Sequence, residues 1–223
     1  MKKFQIVGLA LVAVLALSAV LVASASAATL LAEWLINGAA VTTAKPSTTT
    51  GELTLEDTSN KGGVVASGIL VGTVGENGED SITEVLTLAG VTATLAAPIL
   101  GKKAAGSVCE ESATDIEISP EGLPWHSLLA LSSETTFSDS VFSAGYNVSC
   151  LVLGIKISDE CTSPTIAAGG SGSTVGNVAG GVEITGEATP LANCSIGGTG
   201  TGKIVPSAGN VIASSAGTLT VSE

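Results

Sequence analysis

The sequence contains a single histidine, so any histidine-dependent chemistry must use it. His126 follows Trp125 and precedes Ser127. A serine hydroxyl beside an imidazole base, with Asp115 or Asp139 orienting the ring, is the set of groups that nucleophilic hydrolases use. Neither a G-x-S-x-G nor an S-x-x-K motif accompanies these residues. The simpler prediction is a partly buried His126 beside a packed Trp125, with hydrolysis as an alternative function.

A group of acidic residues lies around an Asn-Gly turn and offers oxygen ligands for calcium. Its members are Glu76, Asn77, Glu79 and Asp80. Calcium loops need oxygen ligands at alternate positions followed by a glycine, and this turn lacks that spacing. Charges solvated at a turn are the stronger explanation of the group. Binding of Ca²⁺ or of a glycan by an extracellular module is the first alternative function, and hydrolysis is the second.

No cofactor-binding motif is complete in this sequence. The glycine-rich run 197–203 imitates a phosphate-binding loop, but Ile204 replaces the hydroxyl residue that binds magnesium. The chain contains no arginine, the residue best suited to bidentate phosphate binding, and its net charge is −12. A strongly acidic chain repels the phosphate backbone. We expect no cofactor, no resident metal and no nucleic-acid partner.

The four cysteines are Cys109, Cys150, Cys161 and Cys194. None belongs to a C-x-x-C pair of the kind found in zinc and redox sites. In an exported chain they predict two disulfides, with three pairings open. A Cys150–Cys161 bridge would centre a turn on the strand-forming Ile155–Lys156, and a straight strand would hold these two cysteines too far apart. We prefer Cys109–Cys150 with Cys161–Cys194, and the other pairings stay open.

The first residues of the chain predict its compartment. Lys2 and Lys3 precede an uncharged apolar run that ends at Ala23, and Ala25-Ser26-Ala27 offers the small side chains that a signal peptidase accepts. We predict a Sec-type signal peptide and a secreted or cell-envelope protein. An uncleaved anchor is the alternative, and it would be the expected contact with a membrane.

Short segments rich in β-branched and hydroxyl side chains, separated by Gly, Asn and Pro, are typical of strands. Asn37-Gly38 and Asn77-Gly78 are strong hairpin signals. We expect residues 44–50 to form a connector and residues 141–156 to form one long strand or two consecutive strands. No segment combines a sustained helical period with caps at both ends.

The sequence therefore predicts an all-β protein, sandwich or barrel-like, with room for two packed β subdomains after an N-terminal signal helix. The predicted regions are a signal peptide over 1–27, an N-terminal β region over 28–100, a loop over 101–107 and a C-terminal β region with the disulfides over 108–223.

Four segments carry a resemblance to a known group of proteins: AEWLING at 32–38, LPWH at 123–126, CLVLGIK at 150–156 and the closing SAGTLTVSE at 215–223. Together they resemble an uncharacterised family of exported, disulfide-containing, β-rich proteins, found as paralogues in high-GC Gram-positive soil bacteria. The resemblance extends over nearly the whole chain. It implies export and β structure, and it assigns no activity and no functional residue.

These observations favour an exported, non-enzymatic β protein. We expect a structural or surface-interaction role in the cell envelope or extracellular space, with an unidentified protein or cell-wall partner.

Overall fold

The structure is a computed structural model that describes residues 32–57, 62–110, 116–133, 136–142, 144–162, 173–185, 189–194, 200–206 and 209–222. The predicted signal peptide and Asp115 lie outside the described residues. In the described part of the chain, no helix is long and apolar enough to cross a membrane. The prediction of an all-β protein is confirmed, because strands and one 3-10 turn at Glu76–Gly78 are the regular elements described.

The strands are β1 (Glu33–Ile36), β2 (Ala39–Ala40), β3 (Lys45–Asp57), β4 (Gly62–Val74), β5 (Glu79–Thr87), β6 (Ile99–Leu100), β7 (Lys102–Lys103), β8 (Glu117–Glu121), β9 (Trp125–Ser133), β10 (Thr136–Phe142), β11 (Gly145–Val152), β12 (Ile155–Thr162), β13 (Ser173–Val178), β14 (Gly181–Thr185), β15 (Thr189–Cys194), β16 (Gly200–Pro206), β17 (Asn210–Ser214) and β18 (Leu219–Ser222).

Eight antiparallel strands close into what we call the first barrel. Their hydrogen-bonded order is β3-β17-β14-β13-β10-β9-β5-β4, and β4 pairs with β3 to complete the circuit. Closure leaves no free edge on this sheet. An eight-stranded barrel has an interior just wide enough for side chains or one small ligand.

The long hairpin β3–β4 continues beyond the first barrel into a second circuit, which we call the second barrel. Here β3 pairs with β16, and the order continues through β15, β12, β11 and β8. The segment 99–103 completes the circuit, because β6 pairs with β8 and β7 pairs with β4. Each barrel thus takes strands from both sides of the segment 101–107.

Strand β3 belongs to both barrels and changes partner at Gly51. Residues 47–50 pair with β17 and residues 53–57 pair with β16. Asn210 lies at this junction, where its Nδ2 donates to the Glu52 carbonyl oxygen at 2.7 Å. A Cβ on Gly51 would lie 1.7 Å from Asn210 Oδ1, so only glycine leaves room for that side chain. The expected connector at 44–50 is thus part of a continuous strand.

The structure has two hydrophobic cores. One contains Leu55, Ile118, Tyr146 and both disulfides in the second barrel and extends into the first barrel through Trp125. The other fills one end of the first barrel with Trp34 and Leu219 from the small sheet β18-β1-β2. That sheet is attached by Asn177 of β13, whose side-chain amide donates to and accepts from the backbone of Val221.

The disulfides join Cys109 to Cys150 and Cys161 to Cys194, which confirms the preferred pairing. The turn between β11 and β12 lies at Leu153–Gly154 and not at Ile155–Lys156. This register places Cys150 opposite Ile157, and it places Cys161 opposite Tyr146. The two cysteines of this hairpin therefore lie at different levels and bond to other segments.

Candidate functional site

The alternation of strand β9 separates the residues of the predicted hydrolytic set. Trp125 and Ser127 are buried on the inner face of the first barrel, whereas His126 is exposed on the outer face. Trp125 is held in place by its indole N–H, which donates to the Glu121 carbonyl oxygen at 2.6 Å. Successive side chains of a strand point to opposite faces. His126 thus differs from the partly buried side chain expected, and the structure does not bring it onto the face of Ser127.

The acidic turn divides in a similar way. Glu76, Asn77 and Glu79 are exposed, and Asn77 has the left-handed φ of 57° that an Asn-Gly turn requires. Asp80, the next residue along β5, is half-buried and lines the interior of the first barrel. The four candidate calcium ligands are therefore not presented to a common point.

Three polar side chains meet inside the first barrel on adjacent strands. Asp80 of β5 lies directly opposite Ser127 of β9. Asp139 of β10 is opposite Leu129, which places it diagonally from Ser127. The Ser127 hydroxyl is hydrogen-bonded to Asp80 Oδ1 and interacts with the Asp139 carboxyl group. We call Asp80 and Asp139 the acid pair, and we call Ser127 its bridging serine.

The acid pair borders a cavity of about 70 Å³ in the first barrel. Its walls are mainly aliphatic and aromatic, formed by Leu70, Ile82, Trp125, Val141, Ile184 and Ile212. No lysine or histidine of the described residues lines it. A volume of this size holds several waters or one small organic molecule.

Burial without a cationic partner raises the pKa of both acids. Burial raises the pKa of Asp139 to about 6, while its hydrogen bond with Ser127 lowers that pKa in part. Burial, followed by repulsion from Asp139, holds the pKa of Asp80 well above its ordinary value. Two carboxylates this close cannot both ionise cheaply in an apolar interior. With its pKa at about 6, Asp139 is mostly ionised at neutral pH, and its charge disfavours ionisation of Asp80.

Ser127 links the two acids. Its hydroxyl donates to Asp80 Oδ1, and it also interacts with the Asp139 carboxyl group. Asp139 Oδ1, on a side chain only 4 % exposed, has no hydrogen-bond partner among the described residues. One carboxylate oxygen of the acid pair, Asp139 Oδ1, thus accepts no hydrogen bond from the described residues.

A second cavity, of about 60 Å³, lies in the second barrel between Asp57, Tyr146 and Asp159. The Tyr146 hydroxyl is buried and has no partner in the described part of the chain. Burial, then the charges of Asp159, Asp57 and Glu56, raise the pKa of Tyr146. This phenol therefore stays protonated and acts as a neutral hydrogen-bond donor.

Metal binding finds little support among the described residues. Among the described residues, the structure places three possible metal-ligand side chains within reach of one ion: Asp159, Cys161 and Cys194. Both cysteines of this group form a disulfide, so neither can offer a thiolate.

Sequence reasoning identified the members of the acid pair separately and missed their assembly. Ser127 and Asp139 were considered as partners of His126, and Asp80 as part of the exposed turn. The missed signal is the alternation around Asp139, which puts a carboxyl group on the same strand face as Phe137 and Val141. An acid on an otherwise apolar face needs either a partner or a proton.

The comparisons with known proteins assign no relative to this fold or to its acid pair. No protein-family model, no curated protein and no solved structure matches the chain.

Proposed function

We propose that this is an exported, non-enzymatic binding protein whose first barrel holds a small molecule in its cavity. One observation carries the proposal. Asp139 lies on the wall of a mainly apolar cavity, and its Oδ1 accepts no hydrogen bond from the described residues. Ligand sites combine apolar walls with a few polar groups that fix orientation. The two disulfides support export, because such bonds persist in oxidising compartments.

The proposal also agrees with how the site is built. Asp80, Ser127 and Asp139 come from three adjacent strands of a closed barrel, so their backbone positions are fixed by ladder hydrogen bonds. Sites on rigid strands hold their geometry better than sites on loops. A rigid, preformed cavity loses little conformational entropy when a ligand enters.

A neutral probe of four heavy atoms, 1-propanol, tests whether the cavity accepts a ligand. We expect saturable shifts in the methyl NMR signals of Ile82, Ile184 and Ile212, with a dissociation constant in the millimolar range. Val141→Phe fills the cavity and should abolish the shifts. Val178→Phe makes the same change on the exposed part of β13 and should preserve them. Shifts that survive Val141→Phe, or a lack of saturation with any small probe, would refute the proposal.

A second candidate function is surface interaction with a protein or cell-wall partner. One observation favours it: the segment 88–100 exposes four large apolar side chains, between 54 and 72 % exposed, at Leu88, Val91, Leu95 and Leu100. Several large exposed apolar side chains within one short segment are a feature of interaction surfaces.

Polar replacement of this apolar segment tests the second candidate. We expect the triple variant Leu88→Ser/Val91→Ser/Leu95→Ser to reduce retention on isolated cell walls about tenfold, because each lost apolar contact weakens binding. The control is Leu153→Ser/Ile155→Ser, which alters two other exposed apolar residues at the β11–β12 turn. Equal retention of all three proteins would remove this candidate.

A further inference from the structure

We propose that the cavity of the first barrel selects a small primary alkylammonium ion, whose N–H groups donate to Asp139 and whose alkyl chain packs against Trp125 and the aliphatic wall. This inference rests on the proposed function of the first barrel and specifies its ligand class.

The charge of the cavity favours a cation over a neutral ligand. The ionised Asp139 places a negative charge in the cavity near neutral pH, and the described lining provides no positive side chain to balance it. A buried charge without a partner is costly, so a ligand that supplies one positive charge removes that cost. A monovalent cation balances the charge of Asp139.

The hydrogen-bonding groups favour a ligand that donates. Asp139 Oδ1 has no donor directed at it from any described residue, and its side chain is almost fully buried. The remaining oxygens of the pair are occupied in part by Ser127. A primary ammonium group has three N–H donors and no acceptor, which complements an unused carboxylate oxygen.

The apolar wall favours an organic cation over a metal ion. Trp125 is 5 % exposed and lines the same cavity as the acid pair, so it offers an apolar surface for an alkyl chain. Calcium needs six to eight oxygen ligands, whereas the acid pair supplies two carboxyl groups. A cavity of about 70 Å³ fits a ligand of about four heavy atoms, such as propylammonium.

A matched pair of probes, propylammonium and 1-propanol, separates this inference from the general proposal. The two molecules are nearly equal in size, and only the first carries a charge. We expect propylammonium to bind about 10- to 100-fold more tightly than 1-propanol at pH 7, because its ammonium group forms a charge-assisted hydrogen bond with Asp139. Titration of the Ile82, Ile184 and Ile212 methyl signals gives both dissociation constants.

The variant that tests the role of the acid pair is the double replacement Asp80→Asn/Asp139→Asn. Both carboxyl groups are replaced because a remaining acid could carry the charge alone. We expect the preference for propylammonium to disappear while 1-propanol binds as before. The control Glu79→Gln/Glu84→Gln removes two exposed charges from the same strand and should leave the preference intact.

The pH dependence of binding to the unaltered protein gives an independent test. Since protonation of Asp139 competes with the cation, affinity for propylammonium should fall about tenfold between pH 7 and pH 5. The titratable group nearest Asp139 is Asp80 on the other side of Ser127, and burial and the charge of Asp139 raise the pKa of Asp80. The affinity for 1-propanol should stay constant.

Four outcomes would overturn the inference. They are equal affinity for the two probes, a preference that survives the double replacement, a pH-independent affinity for propylammonium, and displacement of propylammonium by Ca²⁺ or K⁺ at lower concentration. In each of these cases the cavity still accepts a ligand, so the proposed function stands. If neither probe binds, the inference and the proposed function both fail.

Discussion

Replacing Cys161 and Cys194 with alanine is expected to lower the free energy of unfolding by about 3–4 kcal/mol. The two cysteines are separated by 33 residues, and opening that loop increases the conformational entropy of the unfolded chain. Their position adds a second reason. The described pairing between β12 and β15 consists of Cys161 with Cys194 and Thr162 with Asn193. The disulfide therefore links β12 to β15 at the shortest ladder between the longer strands of the second barrel.

Urea denaturation under oxidising conditions measures this loss. The matched control is Cys109→Ala/Cys150→Ala, which opens a loop of similar length, with a sequence separation of 41. Cys109 lies outside the strands, so this control leaves every ladder of the barrels in place. We expect hydrogen exchange in β12 and β15 to accelerate in the first variant only. A loss below about 1 kcal/mol, or equal exchange in both variants, would contradict a role for Cys161–Cys194 at this junction.

Strand and turn preferences disfavour a Cys150–Cys161 bridge, which removes one of the three possible pairings, and the structure decides between the remaining two. The sequence did not locate the turn between β11 and β12. Leu153 has a φ of 52°, a conformation that leucine rarely adopts, so the usual Asn-Gly signal is missing there. Asn37-Gly38, by contrast, carries that signal and forms the expected turn between β1 and β2. Local sequence thus predicts the turns whose residues prefer the required backbone angles.

The connector expected at 44–50 shows the limit of reading local composition. Pro46 and the threonine run indicated irregular structure, yet these residues alternate between the two faces of β3. Threonine is β-branched and fits a strand, and Pro46 lies near its start, where proline is tolerated. Pairing with β4 along the whole strand outweighs the weak local preference.

The acid pair could not be assembled from the sequence, because it depends on the order of strands. The alternation along β9 and β10 predicts that Ser127 and Asp139 share faces with apolar residues. Only the pairing of β5 with β9 brings Asp80 opposite Ser127, across 47 positions of sequence. Side-chain periodicity specifies faces within a strand but not which strands are neighbours.

The acid pair also determines how stability should depend on pH. Below about pH 4 both carboxyl groups are protonated in the folded and unfolded chains, so they cost nothing. As the pH rises, the unfolded chain releases its protons while the folded chain retains them. The folded state then binds more protons, and the free energy of unfolding falls with increasing pH. The contribution of Asp139 levels off above its pKa of about 6, and the raised pKa of Asp80 adds a contribution of the same sign.

The expected result is that Asp80→Asn/Asp139→Asn is more stable than the unaltered protein by about 3 kcal/mol at pH 8, because the amides need no retained proton and carry no buried charge. The advantage should shrink towards zero near pH 4, where the acids are neutral. Urea denaturation at several pH values between 4 and 8 measures both curves. Glu79→Gln/Glu84→Gln controls for the general relief of negative charge, and its curve should run parallel to that of the unaltered protein. If the curve of Asp80→Asn/Asp139→Asn also runs parallel, neither carboxyl group has a raised pKa, and the buried acid pair that would select a cation does not exist.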